Sequence, residues 1–424
     1  MNEALVQWIS WGVLMGVLVF VATGKAAIDR VAWAGLMILA VFRVAPLQIL
    51  LSGFGHPALI TIVAVMIMSQ GIASSGVLSG LGLKIASRTR TLQGQILATS
   101  LLSALLSAFM NNVGAVGLVL NTATRMADRA RVHRGVFGMP LAFASILGGT
   151  LTLIGSAPNI IVSSYMHSVT GHGFKMFDFA PHGIAILGTF VLLWQVSLRL
   201  GFSPIRNMPS LQNPKPVEVP APSQPGLLAT PKRRVTLLIV GTAVILVSTG
   251  TIAPAVGFGS VVFLLLTARV ITSEEAYNSI ELPIVVFLAA MIGIGQALES
   301  VGALDTLSGY LIPFAGQLPV PLLIMSILFA AVLFANAINN TAAAVVMAPI
   351  AASLAGQTAG VSVAAALMAV AAGANLALVL PTHQAALLVL SKAPFSIPAY
   401  IRSGIVLTIL AGLTASMVII LVWN

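Results

Sequence analysis

Two pairs of adjacent asparagines lie inside long apolar stretches of this 424-residue chain. The first pair, Asn111 and Asn112, occurs in AFMNNVGAV, and the second pair, Asn339 and Asn340, occurs in NAINNTAAAV. An asparagine side chain offers one carbonyl acceptor and two amide donors. It can therefore bind a small cation through its oxygen and an anion through its nitrogen. The two pairs indicate a site for small ions, if the fold brings them together.

A segment rich in helix-breaking residues follows each pair. Residues 144–162 read ASILGGTLTLIGSAPNIIV, and residues 371–389 read AAGANLALVLPTHQAALLV. Glycine and proline interrupt helices. An interrupted helix exposes N–H groups that suit an anion and carbonyl groups that suit Na⁺. We expect each half of the chain to contribute one asparagine pair and one broken helix; the alternative is that the asparagines only cap helices and hold neighbouring helices together.

The composition is that of a membrane protein. Hydrophobic residues make up 58% and charged residues 7% of the chain, whereas about 25% of the residues in a soluble domain are charged. The absence of cysteine excludes disulfides and thiolate chemistry. The net charge of +10 has a topological explanation in the positive-inside rule, and an anionic substrate is the alternative. No arrangement of Ser, His and Asp, no HExxH and no paired carboxylates occur, so we expect neither an enzyme nor a nucleic-acid partner.

The apolar runs predict an all-α polytopic membrane protein with ten transmembrane helices and two re-entrant hairpins. Residues 92–125 and 313–356 are too long for one crossing and too short for two, and each contains an asparagine pair near its middle. These two segments are the predicted hairpins. The predicted crossings are 4–22, 31–50, 57–79, 181–200, 235–252, 255–271, 281–300 and 401–422, together with the helices broken at the midplane, 138–166 and 362–390.

The distribution of basic residues gives an orientation. Each of the two hairpins is counted as returning to the side from which it enters. All of the 20 Lys and Arg then fall on one side, with two exceptions: Arg43, placed within a span, and Lys175. That side is cytoplasmic by the positive-inside rule. Both termini are then outside. The Pro-rich stretch 203–233, which contains NPKPVEVPAPSQPG, is a cytoplasmic linker.

The two halves resemble each other. Residues 57–82 align with residues 283–308 at an offset of about 226, and the asparagine pairs and the broken-helix segments align at nearly the same offset. By the orientation above, the copies, 1–202 and 234–424, run in opposite directions across the membrane. Inverted repeats of this kind are typical of secondary transporters, whose sites lie near the bilayer midplane. Chance similarity between two Ala- and Leu-rich segments is the alternative.

The combination of AFMNNVGAV, LAFASILGGTLTLIGSAPNIIVSS, INNTAAAVVMAPIA and PTHQ resembles the divalent anion:sodium symporter family. This is the solute carrier family 13-like branch of the ion transporter superfamily, and the similarity extends over nearly the entire chain. The resemblance implies a homodimer in which a transport domain moves as an elevator against a scaffold domain. It also implies that each hairpin tip and its broken helix bind Na⁺, with the substrate anion between the tips.

In that family each tip carries a Ser-Asn-Thr motif. The matching residues here are Asn111, Asn112 and Val113 at the first tip and Asn339, Asn340 and Thr341 at the second. The implied substrate site consists of these six residues with Ser156, Thr382 and His383. The implied Na⁺ ligands are Asn112, Gly148, Gly149 and Thr150 for one site and Asn340, Ala374 and Asn375 for the other. Asparagine replaces both motif serines, and Val113 replaces the first threonine, which leaves the identity of the anion open.

The expected function is Na⁺-coupled symport of a small divalent anion, sulfate or a dicarboxylate, across the bacterial inner membrane. Na⁺ is the coupling ion, and we expect no other cofactor. An anion exchanger or a proton-linked exporter of the same superfamily is the alternative. His383 is a spacer, a substrate contact or a proton acceptor. Gln70 and Gln296, which occupy matching positions, are expected to form interhelical hydrogen bonds.

Overall fold

The computed structural model describes residues 3–23, 26–76, 91–199 and 231–424, and the regular elements in these ranges are all helices. Five stretches are long and apolar enough to cross a membrane: Leu5–Thr23, Leu47–Ser75, Leu282–Ser300, Val320–Ala337 and Ile397–Trp423. Several shorter apolar helices accompany them. The chain is therefore an all-α polytopic membrane protein, as predicted. Most of the predicted linker 203–233 lies outside the described residues, and its last three residues belong to a helix.

The first half consists of ten short or long helical segments. They are α1 (Glu3–Thr23), α2 (Ile28–Val41), α3 (Leu47–Leu51), a 3₁₀ turn (Ser52–Gly55), α4 (Pro57–Ser75), α5 (Leu92–Ser107), α6 (Asn112–Ala130), α7 (Gly135–Gly148), α8 (Ala157–Thr170) and α9 (Ala180–Arg199) among the described residues.

The second half is also built of helices. It contains α10 (Pro231–Ser248), α11 (Pro254–Thr267), α12 (Ser273–Asn278), α13 (Leu282–Ser300), α14 (Ala303–Ala315), α15 (Val320–Ala337), α16 (Asn340–Gln357), α17 (Val363–Asn375), α18 (Gln384–Lys392) and α19 (Ile397–Trp423). The short helices α12 and α14 had no counterpart among the predicted crossings.

Helices α2 and α11 end in the same way. Each is followed by an arginine at a φ of 52°, Arg43 in the first half and Arg269 in the second. The next residue then donates its N–H back across the helix end, from Val44 to Leu39 O (3.0 Å) and from Val270 to Leu265 O (2.9 Å). The prediction of one span over 31–50 was wrong, because this turn ends the helix at Val41. Arg43 is accordingly exposed in the turn and does not lie within a span.

The halves are intertwined. Helix α2 packs on α13 of the other half, and α11 packs on α4; likewise α8 packs on α16, and α18 packs on α6. Contact between α13 and the segment before α4 is close, because a Cβ added at Gly53 would lie 1.9 Å from the carbonyl oxygen of Ala289. This reciprocal pairing is what an inverted duplication would produce, and the duplication itself stays a prediction.

The two glutamines at matching positions behave differently. Gln296 of α13 is hydrogen-bonded through its Oε1 to the Ser52 hydroxyl of the 3₁₀ turn, so it links two elements as expected. Gln70 instead donates to Ser74 Oγ one turn further along the same helix (3.1 Å). The interhelical bond expected for Gln70 is therefore wrong, because a serine four residues ahead lies within its reach.

Each predicted hairpin and each predicted broken helix contains a break in the helix. The first hairpin segment divides into α5 and α6, which pack against each other, and the second divides into α15 and α16, which do the same. The second segment begins later than predicted, because residues 313–315 still belong to α14. The broken-helix segments divide into α7 and α8, and into α17 and α18. That the hairpins are re-entrant stays a prediction.

A buried asparagine satisfies the backbone of the first broken helix. Asn159 in α8 donates to the carbonyl oxygens of Gly149 (3.0 Å) and Thr152 (2.8 Å) in the α7–α8 break. Its own oxygen accepts a hydrogen bond from Asn375 Nδ2 of α17 (2.8 Å), and both side chains are buried. One side chain thus fixes the break and joins the two halves.

We predict that Asn159→Ala destabilises the protein. An unpaired buried polar group costs about 1–3 kcal/mol, and this change leaves several. The apparent melting temperature in detergent should fall. Asn121→Ala, on the exposed side of α6, serves as the control and should leave it unchanged. Equal melting temperatures for the two variants would contradict the assigned role.

Candidate functional site

A cavity of about 300 Å³ lies where the four helix breaks meet. Its polar lining residues are Asn111, Asn112, Ser156, Asn339, Asn340, Thr341, Thr382, His383 and Gln384, and its apolar walls include Met66 and Phe287. Every predicted substrate residue except Val113 therefore lines one cavity. The described residues that line it include no Lys, Arg, Asp or Glu.

The first tip begins helix α6. Asn111 caps this helix, because its Oδ1 accepts the N–H of Val113 (3.1 Å). Val113 therefore contributes to the tip through its backbone N–H, since its side chain does not line the cavity. The oxygen Oδ1 of Asn112 accepts a hydrogen bond from Ser107 Oγ (2.5 Å), and its backbone oxygen accepts one from Ser145 Oγ (2.9 Å). The tip is thus held by α5 and α7.

The second tip begins helix α16 in the same manner. Asn339 caps the helix by accepting the N–H of Ala342 on its Oδ1 (2.8 Å). Asn340 and Thr341 follow it along the cavity wall. Within the described part of the chain, the side-chain amide of Asn340 has no hydrogen-bond partner, so it is available to a ligand.

Ser156 and His383 occupy equivalent positions, each directly before the second part of a broken helix. His383 caps α18, because its Nδ1 accepts the N–H of Ala385 (3.1 Å). Its other ring nitrogen, Nε2, lies 3.3 Å from Nδ2 of Asn112. Ser156 makes no capping bond. It lines the cavity from the first half, and its buried hydroxyl has no partner within the described residues.

Matching bonds tie each tip to its broken helix. In the first half, the Thr152 hydroxyl of the α7–α8 break donates to the carbonyl oxygen of Ala108 beside the tip. In the second half, Asn336 beside the tip accepts the N–H of Val379 in the α17–α18 break (3.0 Å). Position 108 corresponds to 336, and position 152 corresponds to 379, so the same two positions are joined in both halves. In the first half the side chain comes from the broken helix, and in the second half it comes from the residue beside the tip. Each tip and its broken helix are therefore directly bonded.

Oxygen atoms converge near the residues implied for the first Na⁺ site. A Cβ added at Gly149 would lie 3.0 Å from Asn112 Oδ1 and 3.0 Å from the carbonyl oxygen of Gly155. The other two implied Na⁺ ligands, Gly148 and Thr150, make their contacts elsewhere. Gly148 faces the backbone of α5, and the Thr150 hydroxyl donates to its own helix end, at Leu147 O (2.6 Å). These contacts fit a cation between the tip and the α7–α8 turn, and its binding stays a prediction.

The residues implied for the second Na⁺ site are divided. Asn340 lines the cavity, whereas Ala374 and Asn375 are buried in α17 and do not line it. Asn375 donates its amide to Asn159 and to Ala371 O, and its buried Oδ1 has no partner among the described residues. A buried acceptor without a donor suits a cation, so Asn375 Oδ1 fits the role of a Na⁺ ligand.

Two residues of the site were not expected from the sequence. Glu281, which precedes α13, accepts the Asn111 amide on Oε1 (3.0 Å) and the Gln384 amide on Oε2 (3.2 Å). It thereby joins the first tip to the broken helix of the other half. Gln384 could have been found from its place in PTHQ. Glu281 gave no signal, because it precedes an apolar run as any charged residue at the end of a span would.

Comparisons with known proteins indicate that this chain is a transporter. Residues 7–373 match the CitMHS family, which is described as "Citrate transporter". The crystal structure of the YdaH transporter of Alcanivorax borkumensis is similar in fold, with a TM-score of 0.61 over 99% of this chain and 97% of that chain. The sequence identity is 13%, so this similarity concerns the fold alone.

Two curated relatives match part of this chain and part of their own length. The uncharacterized transporter YfbS of Escherichia coli is 29% identical over 44% of this chain and 30% of its own length. Sodium/sulfate cotransporter 1 of Chlamydomonas reinhardtii is 30% identical over 36% of this chain and 18% of its own length. The matched regions thus span less than a third of either relative. The family match covers most of the chain, and the chain belongs to the CitMHS family of multi-pass membrane transporters, which are not enzymes.

Proposed function

We propose that this protein is a secondary active transporter that couples Na⁺ to the symport of a small divalent anion. The supporting observation is that four helices, α6, α8, α16 and α18, begin at one cavity. Each helix N-terminus carries roughly half a positive charge. Four of them supply about two positive charges, without a basic side chain, for an anion with two negative charges.

The donors around the cavity suit an oxyanion. Asn340, Thr341 and Thr382 bring amide and hydroxyl donors to its wall. The unpartnered Ser156 hydroxyl adds another. Backbone N–H groups at a helix start bind sulfate, phosphate or carboxylate groups. Sulfate, a dicarboxylate and citrate all present such oxygens, and the names of the family and of one relative include citrate and sulfate.

Na⁺ is the proposed coupling ion. Carbonyl and amide oxygens, which a hard monovalent cation prefers, lie beside the first tip at Gly155 and Asn112, and another lies at the end of α17 at Asn375. A bound cation next to the cavity would raise the affinity for the anion, and the anion would raise the affinity for the cation by the same factor.

The proposal extends to the assembly and the mechanism implied by the family resemblance. The protein would be a homodimer that works by an elevator-type movement in the bacterial inner membrane. The charge distribution would place both termini outside and the linker 203–233 in the cytoplasm.

Uptake by proteoliposomes tests the proposal. Radiolabelled sulfate, citrate and succinate are offered with an inward Na⁺ gradient and with choline in place of Na⁺. We expect one or more of these anions to accumulate only with Na⁺. Equal uptake in choline would contradict Na⁺ coupling.

Alanine at either tip should abolish this transport. Asn112→Ala and Asn340→Ala each remove an amide from the cavity, and we expect Na⁺-dependent uptake to fall to background. Asn121→Ala on α6 and Gln357→Ala at the exposed end of α16 are the matched controls. Normal uptake by both tip variants would show that these asparagines do not take part in transport and only cap helices.

Ser156→Ala should weaken anion binding and leave stability unchanged. The hydroxyl has no partner in the described structure, so its loss removes no internal bond. One hydrogen bond to the anion is worth about 0.5–1.5 kcal/mol, which corresponds to a rise of the KM for the anion of about two- to tenfold. The KM and the melting temperature are measured together; an unchanged KM would exclude the hydroxyl from the site.

A second candidate, a proton-linked transporter, is favoured by Glu281. Carboxylates within membrane proteins often carry coupling protons, and Glu281 accepts hydrogen bonds from two cavity residues, Asn111 and Gln384.

Glu281→Gln separates the two candidates. The amide keeps the size and a hydrogen-bond acceptor but takes up no proton in the range tested. If Na⁺ is the coupling ion, the variant retains Na⁺-dependent uptake with the pH profile of the wild type. If a pH gradient drives uptake by the wild type but not by the variant, and the variant still binds the anion, proton coupling is favoured instead.

A further inference from the structure

His383 faces a hydrogen-bond donor at each of its ring nitrogens. Nδ1 accepts the backbone N–H of Ala385, and Nε2 lies 3.3 Å from the amide nitrogen of Asn112. A neutral imidazole carries one proton, so only one nitrogen can accept. The helix cap fixes that acceptor as Nδ1 and places the proton on Nε2. Nε2–H then points at the N–H₂ group of Asn112, which sets two donors against each other.

A half-turn of the Asn112 amide removes this conflict. Oδ1 then accepts from His383 Nε2–H, and Nδ2 donates to Ser107 Oγ, a hydroxyl that accepts as well as it donates. We call this the histidine-facing orientation. In the cation-facing orientation, Oδ1 instead accepts from Ser107 Oγ (2.5 Å) and Nε2–H of His383 is left without an acceptor. The two orientations differ only by exchange of the amide oxygen and nitrogen.

A cation would favour the second orientation. In it, Oδ1 of Asn112 and the carbonyl oxygen of Gly155 both lie 3.0 Å from the position of a Cβ on Gly149. The carbonyl oxygen of Gly149 faces Gly155 across the same turn. The amide oxygen of Asn112 and the carbonyl oxygens of Gly149 and Gly155 thus all lie at this turn when the amide oxygen is turned toward it. In the histidine-facing orientation an amide N–H₂ group replaces one of them, and that group repels a cation.

We propose that the Asn112 amide is the switch that couples cation and anion binding, with His383 as its positioning residue. This inference rests on the proposed Na⁺-coupled function. Na⁺ turns Oδ1 toward the Gly149–Gly155 turn and releases Nε2–H of His383, which lines the cavity and donates to an oxygen of the anion. Without Na⁺, Oδ1 of Asn112 accepts the Nε2–H of His383, which is then not available to the anion. Each ligand therefore raises the affinity for the other.

The switch belongs to one tip only. The position equivalent to His383 in the first half is Ser156, and Asn340 of the second tip has no side-chain partner among the described residues. The second tip thus has no histidine to hold its amide. Coupling through the amide is expected for the first Na⁺ site and not for the second.

His383→Asn tests the switch. Asparagine caps helices well, but its side chain is too short to reach Asn112. Binding of ²²Na⁺ to purified protein in nanodiscs is measured with and without sulfate or citrate, whichever supports Na⁺-dependent uptake by the wild type. Without the anion, we expect the variant to bind Na⁺ about two- to tenfold more tightly, since a competing hydrogen bond is gone. The further gain in Na⁺ affinity on adding the anion should nearly disappear.

His56→Asn is the matched control. His56 caps α4 through Nδ1 and the N–H of Ala58 (3.3 Å), as His383 caps α18, but it does not line the cavity. This variant should bind Na⁺ and respond to the anion as the wild type does. In an Asn112→Leu background, His383→Asn should have no further effect on Na⁺ affinity, because the amide on which it acts is absent.

The outcomes separate the switch from the function it rests on. If the wild type shows no Na⁺-dependent uptake of any anion tested, the proposed function fails. If the wild type is coupled and His383→Asn keeps the same gain, or binds Na⁺ more weakly, the switch is wrong and the function stands. Histidine ¹⁵N NMR of the wild type needs no variant: the proposal requires a proton on Nε2 of His383, and a proton on Nδ1 overturns it.

Discussion

Within a membrane, the backbone at a helix break must find its hydrogen-bond partners in the protein or in water that the protein encloses, because lipid provides none. The structure meets this constraint with a few polar side chains. Asn159 holds two carbonyl groups of the first break, the Thr152 hydroxyl holds the carbonyl of Ala108, and Asn336 holds the N–H of Val379. Asn111 and Asn339 hold the first N–H groups of the tips. These polar side chains thus satisfy backbone groups at the breaks.

The same breaks create the electrostatics of the cavity. Helix starts that point at one cavity offer positive potential from the backbone, which needs no buried lysine or arginine and so avoids the cost of burying a charged side chain. Oxygens at the ends of α7 and α17 offer the opposite character a short distance away. The proposed anion site and the proposed cation sites next to it would follow from where the helices start and stop. Family and fold identify a transporter, and the substrate and the coupling ion are our proposals.

Much of this arrangement could be read from the sequence, because glycine, proline and asparagine interrupt an otherwise apolar background. The breaks before Asn112 and Asn340 and around Gly149 lie where those residues predict them. Contacts between the halves could not be predicted in this way. The partners of Asn159 and Glu281 are 216 and 170 residues away in sequence, and nothing local indicates which faces will meet. Arg43 was misplaced for a related reason, since a left-handed turn at arginine gives no sequence signal.

The account depends most on the tips lying together at a cavity inside the membrane. Since the chain has no cysteine, a single cysteine can be introduced at Ile338, which lines the cavity beside the second tip, and its reaction rate with a membrane-impermeant thiol reagent measured in proteoliposomes. The account predicts slow labelling that Na⁺ and the transported anion together suppress further. Rapid labelling that neither ligand changes would place the tip on an external loop and contradict the account.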